Sequence, residues 1–235
     1  MPVLNKFGGG KLAGSKTKSG LYICLEGLDG TGKSTAFSYI SDRLNELGIH
    51  YATIAPTKAG DANALIERIF KRYPILDHSR FLRQFKFAAR SNLAARNVDW
   101  QKKLILGDRS IITSYIAHFG KNPIANKLKT VVINFMEREI YAPDYVIYLY
   151  VNDEAILRSR LNIRDRAKDI DETDLRRKQM RLHYEQIKKN APKRVSHTIW
   201  LTIPAETSPD DVGSKIFNLI LQLLRARELQ EDKNQ

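Results

Sequence analysis

The sequence predicts an α/β fold, an open five-stranded parallel sheet with helices on both faces. Three observations carry this. Five short β-rich runs alternate with helical patterns, the order that right-handed strand–helix–strand crossovers impose. A complete G-x-x-x-x-G-K-[ST] loop, Gly27 to Ser34, sits between the first run and the first helical pattern, the context that motif requires. The chain has 235 residues, 43% of them hydrophobic, which suits one domain with a sizeable core.

The runs are Leu21–Leu25, Ile49–Ile54, Leu104–Leu106, Tyr145–Val151 and Thr198–Ile203. The first helix is predicted from Lys33 to Leu47, stopped by Gly48, because glycine readily takes the left-handed conformation that ends helices. A long helix is predicted over Arg80–Trp100 and another over Ile124–Tyr141, after Asn122-Pro123. Ser208-Pro209-Asp210-Asp211 reads as an N-cap, a proline at the first helical position and acids in the first turn. It launches a last helix to about Glu228. There are no repeats and no internal linker. The expected division is a flexible basic arm (1–20), one domain (21–228) and a polar, frayed tail (229–235).

No apolar stretch approaches the ~20 residues of a membrane span. The first twenty residues hold lysines but no continuous apolar segment, so no secretory signal is expected. The single cysteine, Cys24, falls in the first strand and reads as a small buried hydrophobe. A cytoplasmic setting fits. The net charge is +13, which raises the question of nucleic acid. Residues 1–20 carry +4, and residues 158–194 carry +7 from eight Arg and five Lys against six acids. The rest is near neutral, so nucleic acid is not an expected partner. Lys188-Lys189 and Lys193-Arg194 read as a solvated face, and a basic segment so late in a phosphate-binding enzyme also reads as a lid.

The loop glycines let backbone N–H groups turn inward around a polyphosphate, and the positive end of the next helix faces the same anion. Lys33 reaches the β and γ oxygens, and the Ser34 hydroxyl can ligate Mg²⁺. After the third run comes Gly107-Asp108-Arg109-Ser110. In open parallel sheets, sites gather at the carboxyl ends of strands. There Arg109 can fork onto a phosphate and Asp108 can hold Mg²⁺. The pair equally reads as a local cap of the following helix. Phe85-Lys86-Phe87-Ala88-Ala89-Arg90 lies inside the long helix. It offers a planar donor beside small residues, or a core-facing Phe stripe with a surface arginine. The fourth strand then opens a helix carrying Arg158, Arg160, Arg164 and Arg166. Four arginines in nine residues cannot share one helical face, and a mobile loop of phosphate-seeking side chains fits them.

Together these motifs resemble the thymidylate kinase family of P-loop nucleoside monophosphate kinases. The resemblance covers roughly residues 20–225. It rests on Glu26 to Thr35, Phe87-Ala88-Ala89-Arg90, Gly107-Asp108-Arg109-Ser110, Pro143-Asp144 with its strand, and the arginine-rich stretch before Tyr184. It implies a P-loop kinase fold with an arginine-rich lid, about 158–172. The implied activity moves the ATP γ-phosphoryl group onto a deoxynucleoside 5′-monophosphate, dTMP above all, with Mg²⁺. By that correspondence Gly27, Leu28, Asp29, Gly30, Thr31, Gly32, Lys33, Ser34 and Thr35 hold ATP, and the turn at Pro204 and Ala205 borders its adenine. Asp29 holds the acceptor 3′-hydroxyl and Arg90 contacts the base. Phe87 and Ser114 complete that pocket, and Asp108 and Arg109 meet the acceptor phosphate and the metal. Gly30 stands where some members carry a loop arginine, so a lid arginine is expected to be catalytic here. Family members are commonly dimers, and the Arg80–Trp100 and Ile124–Tyr141 helices are the surfaces that could pack across a twofold.

Three positions depart from the family pattern and bear on base preference. Lys86 stands where an aromatic usually stacks on thymine. Ala117, near Tyr115 and His118, stands where Tyr or Phe guards against a ribose 2′-hydroxyl. Lys58, in Ala55-Pro56-Thr57-Lys58-Ala59-Gly60, is the only candidate for the acceptor-phosphate arginine. Deoxynucleoside kinases share the fold, but a 5′-hydroxyl needs a general base. The end of the second strand holds no acid, and Asp61 comes late. A monophosphate, with a second pKa of about 6, needs charge neutralisation instead. A non-catalytic nucleotide-binding protein is the remaining alternative. It has no need of Asp29, Arg90 and the arginine stretch together.

Overall fold

The computed structural model describes residues 18–58, 68–69, 71–73, 80–120, 122–162 and 173–232. Five parallel strands, β1 (Leu21–Gly27), β2 (Tyr51–Ile54), β3 (Leu104–Asp108), β4 (Tyr145–Tyr150) and β5 (Ile199–Pro204), run in the order β2-β3-β1-β4-β5. Strand β1 is central and buried throughout. It pairs with β3 from Leu21 opposite Leu104 and with β4 from Ile23 opposite Tyr145. Helices α1 (Lys33–Glu46), α2 (Arg80–Arg96), α3 (Ile111–His118), α4 (Pro123–Met136), α5 (Glu154–Asn162), α6 (Asp174–Lys189) and α7 (Pro209–Asp232) flank the sheet. The core is aliphatic from the strands, with Tyr22, Trp100 and Tyr141 packed edge to face beneath β1. This is the expected five-stranded P-loop kinase architecture. It sets the loop after β1 and the end of β3 side by side.

Several expected boundaries are corrected. Strand β3 runs through Gly107 and Asp108, so the Asp is a strand residue and Arg109 is the first beyond it. Helix α2 stops at Arg96 rather than Trp100, because the Trp100 indole N–H donates to the Ala95 carbonyl (2.8 Å) and its ring drops into the core. Helix α4 stops at Met136 rather than Tyr141. Asn92 donates to the Met136 carbonyl, and Arg194 donates to the carbonyls of Glu137 and Ile140. Those carbonyls find donors from elsewhere in the fold, so the helix does not need to continue. Helix α7 continues to Asp232 where fraying from 229 was expected.

The caps follow the local rules. Asn122 accepts from the Ile124 and Ala125 amides, with Pro123 in the first turn. Ser208 Oγ accepts from the Asp211 amide. Of the expected arm, Lys18 to Gly20 are built into the domain: Lys18 Nζ meets Asp144 at 2.5 Å, and the Ser19 and Gly20 amides donate to the Trp100 carbonyl. Residues 1–17 and 233–235 lie outside the described residues. So do Ala59, Gly60, Asp61, and the part of the expected lid at 163–172 with Arg164 and Arg166. Among the described residues no helix is long and apolar enough to cross a membrane.

Candidate active site

The phosphate loop bends where its glycines allow. Gly27 has φ 146°, and a Cβ there would lie 2.4 Å from the Leu149 carbonyl oxygen, so no side chain fits. Gly32 caps α1 at φ 88° with no side-chain bond to the first turn. The N-terminal amides of α1 therefore face outward, with the positive end of the helix, toward any anion placed there. Ser34 and Thr35 are exposed on that first turn.

Lys33 is buried beneath the loop. Its Nζ donates to the Leu28 carbonyl at 2.6 Å and lies 3.7 Å from Asp29 Oδ1. Burial lowers its pKa to about 7, and repulsion from Arg109 adds to this against the pull of Asp29, Asp108 and Glu26. The ammonium is thus under-compensated, which is what a site awaiting polyphosphate oxygens provides.

The edge of β3 completes the cluster. Arg109 has φ 75°, the one non-glycine residue in the left-handed region among the described residues. Its N–H donates to the Leu25 carbonyl (3.1 Å), its Nη1 donates to the Gly27 carbonyl (3.2 Å), and its Nη2 pairs with Asp29. Asp108 is buried, and Lys58 Nζ, from beyond β2, lies 2.5 Å from its Oδ2. Lys33, Arg109, Lys58, Asp29 and Asp108 therefore meet at the carboxyl ends of β1, β2 and β3. The local-cap reading of Asp108-Arg109 fails, because the next helix is capped by Ser110, whose Oγ accepts from the Ile112 amide.

Other expected residues lie on helices α2, α3 and α5. Arg90 stacks over the Phe87 ring, 5.7 Å from its centroid, on α2. Phe87 is exposed rather than part of a core stripe. Burial raises the pKa of the Glu137 carboxyl, and the Ser114 and Ser91 hydroxyls, the latter on the neighbour of Arg90, oppose that rise. The Ala117 carbonyl accepts from Arg176 at 3.1 Å. Arg158 and Arg160 lie on helix α5, the helix expected to open after the fourth strand, and not in a mobile loop. Arg160 donates to the Ala205 carbonyl at 2.7 Å, and Arg158 pairs with Asp174 at 2.6 Å.

Two groups that sequence reasoning missed organise the site. Glu26, fully buried at the end of β1, accepts from the Ser110 amide and hydroxyl, from Thr113 and from the Tyr184 hydroxyl, all at 2.9 Å. Its signal was present: a carboxylate inside Leu21-Tyr22-Ile23-Cys24-Leu25 and its continuation is costly unless fully hydrogen-bonded. Arg177, buried on α6, pairs with Glu154 and Asp174. With Arg181 on Glu154 (2.9 Å) it ties α5 to α6. No local pattern marks it.

The sequence model of the family described as thymidylate kinase matches residues 25–216. A probable thymidylate kinase of Methanobrevibacter smithii is 33% identical over 96 residues, which is 40% of this chain and half of that relative's length. A thymidylate kinase of Leptospira interrogans is 27% identical over 177 residues, covering 73% of this chain and 83% of the relative. One from Colwellia psychrerythraea is 26% identical over 142 residues, covering 57% and 65%. The family match begins inside β1, ends inside α7, and takes in the phosphate loop, both edge strands and the Asp108-Arg109 corner. The chain belongs to the thymidylate kinase family, whose members are ATP-dependent phosphotransferases.

Proposed function

We propose that this chain transfers the γ-phosphoryl group of ATP to the 5′-phosphate of a deoxynucleoside monophosphate, dTMP giving dTDP. One observation carries the reading. Lys33 in the phosphate loop and Arg109 opposite share the Asp29 carboxylate, and Lys58 pairs with Asp108, the residue before Arg109. Two anions can therefore be gripped side by side. The loop amides, Lys33, Ser34 and Thr35 hold the donor, and Arg160 with Ala205 borders its base. Arg109 and Lys58 fix the acceptor phosphate in line, Asp29 takes the 3′-hydroxyl, and Arg90, Phe87 and Ser114 line the base pocket. Such transfers need positioning and charge neutralisation more than proton transfer. The dianionic acceptor suits Lys58, four residues beyond β2, where a nucleoside kinase needs a carboxylate base. Of Arg158, Arg160, Arg164 and Arg166, one or more stabilises the charge on the transferring group.

The donor set fits a hard cation. Asp108 is a buried carboxylate at the end of β3 with Lys58 as its ion-pair partner, and the Ser34 hydroxyl is exposed on the first turn of α1. Among the described residues no group of three or more His, Cys, Asp or Glu forms a protein-only cage, so substrate phosphates would complete the shell, as is usual for Mg²⁺. Mg²⁺ bound by Ser34 and Asp108 supplies charge neutralisation of the phosphate oxygens.

The test is a panel of dTMP, dUMP, dCMP, dAMP, dGMP and thymidine with ATP and Mg²⁺. The expected result is ADP release dependent on dTMP. Turnover on thymidine alone overturns the assignment, ADP release indifferent to acceptor marks an ATPase, and no ADP release with any acceptor supports the non-catalytic alternative. Lys86 and Ala117 make the other pyrimidine monophosphates the informative arms.

A homodimer is part of the reading. Ile124, Leu128, Val131 and Phe135 lie at i, i+4, i+7 and i+11 on α4, each at least 64% exposed. An unbroken apolar stripe on one helical face is expected to be covered. A second copy supplies an equal stripe across a twofold. Leu128→Asp is expected to convert a particle of twice the chain mass into one of single mass by light scattering, with the helical circular dichroism kept. An unchanged mass counts against this face. A cytoplasmic setting completes the proposal, supported by the sole cysteine, Cys24, being buried and unpaired.

A further inference from the structure

The buried carboxylate of Glu26 binds both halves of the site, and no role in the transfer reaction attaches to it above. Its Oε1 accepts from the Ser110 amide and hydroxyl at 2.9 Å. Ser110 directly follows Arg109. Its Oε2 accepts from Thr113 and from the Tyr184 hydroxyl, each at 2.9 Å. The Tyr184 hydroxyl in turn accepts from the Gly27 amide at 3.2 Å, at the root of the phosphate loop. The Gly27 carbonyl closes the circuit by accepting from Arg109 Nη1. The ring of contacts thus runs from the donor loop through Tyr184 and Glu26 to the strand end that carries Arg109.

We propose that Glu26 and Tyr184 are positioning residues that set the register between the donor loop and the acceptor-phosphate arginine. This rests on the phosphoryl-transfer reading above. The donors converging on Glu26 suit a carboxylate, which only accepts. Burial, then the charge of Glu26, pushes the Tyr184 phenol well above its ordinary pKa, so it remains a donor at any working pH. Its ring is held by Tyr148 (centroids 4.7 Å) and Trp200 (6.4 Å). Gly27 has no lateral freedom, with the Leu149 carbonyl against it. A hydroxyl so fixed at both ends holds the loop at one height above β3. In-line transfer is sensitive to displacements of about 1 Å, which can cost on the order of 10²-fold in rate.

Glu26→Gln and Tyr184→Phe separate register from binding. In Glu26→Gln the new amide donates where an acceptor stood. The Tyr184 hydroxyl then faces two donors, Gly27 N–H and the amide, and its own proton must turn from the carboxylate to the Gly27 carbonyl, 3.4 Å away. Tyr184→Phe keeps the ring packing and removes only the hydroxyl. The measurements are kcat, separate titration-calorimetry Kd values for ATP and for dTMP, and the thermal midpoint. For Glu26→Gln the expected result is kcat lower by about 10- to 100-fold, with each Kd within threefold of wild type at a temperature well below unfolding. Tyr184→Phe is expected to show a smaller loss of the same kind, and carries the test if Glu26→Gln does not fold. A lowered midpoint with kcat within twofold of wild type makes the network structural only and overturns the inference. So does a fall in kcat matched by an equal weakening of ATP binding. Failure of the underlying reading looks different: the wild-type protein itself would transfer nothing to dTMP, and the inference would fall with it.

Discussion

Lys33→Ala is expected to lower kcat/KM by about 10²- to 10³-fold or more, the usual cost of removing one preorganised donor from a developing anionic charge. The reason is geometric as well as electrostatic. Lys33 lies beneath the loop, its ammonium anchored by the Leu28 carbonyl, 2.6 Å away, and by Asp29. No neighbouring lysine can replace it from the first turn of α1. Acceptor binding measured by titration calorimetry should change little, because Arg109 and Lys58 remain. Turnover within tenfold of wild type would remove Lys33 from the transfer step.

The same residue carries a pH signature. Its folded pKa of about 7, lowered chiefly by burial, stands below the unfolded value near 10.4. Between these limits the unfolded chain holds more protons, so the contribution of Lys33 to stability rises with pH from about 7 to about 10. Below pH 7 the full cost of burying its charge is present. The unliganded Lys33→Ala protein should therefore be at least as stable as wild type at pH 6, and should lose this slope. A polyphosphate favours the charged form and raises the pKa. ATP binding at pH 8 is thus expected to take up close to one proton, read from calorimetry in buffers of different ionisation enthalpy. Zero uptake at pH 8 would mean Lys33 is already charged in the free protein.

Arg109→Ala is expected to lower turnover on dTMP by a similar 10²- to 10³-fold, with most of the loss on the acceptor side. A planar fork cannot be replaced by a point charge, so Arg109→Lys should recover only part of it. The left-handed backbone at this position (φ 75°) gives a second, independent readout. An alanine there keeps the strain, about 1 kcal/mol or somewhat more. Arg109→Gly relieves it while losing the same guanidinium. The two variants should be equally inactive, yet Arg109→Gly should be the more stable by about 1 kcal/mol in denaturant unfolding. Equal stability would mean that the backbone at this position leaves the left-handed region once the guanidinium contacts with Gly27 and Asp29 are gone. Retained activity in either variant would sink the acceptor-phosphate role.

Much of this site is visible along the chain because its parts are local. Gly27 to Ser34 is one continuous turn between a strand and a helix. Asn122 and Ser208 cap helices two or three residues ahead of themselves. Gly48 ends α1 with φ 65°. Interactions of this reach are properties of short peptides, and residue type and spacing are enough to specify them. The order of apolar runs likewise dictates a parallel sheet with crossover helices, since parallel neighbours cannot be joined by tight turns.

The rest depends on chain separation. The Arg109 contact with Asp29 spans 80 residues, Glu26 to Ser110 spans 84, and Glu26 to Tyr184 spans 158. Helices α2 and α4 stop where they do because Trp100 turns into the core and Arg194 arrives 54 residues or more from the carbonyls it satisfies. The arginines expected to seek phosphate divide by the same rule. Arg160 takes the Ala205 carbonyl and Arg158 takes Asp174 once α5, α6 and β5 are side by side. The phosphate loop, the sheet and the family are therefore written in neighbouring residues. Which buried carboxylate holds the loop to the arginine opposite is settled only when the strands have paired, because hydrogen bonds form between atoms that the sheet's register brings within 3 Å, whatever their distance along the chain.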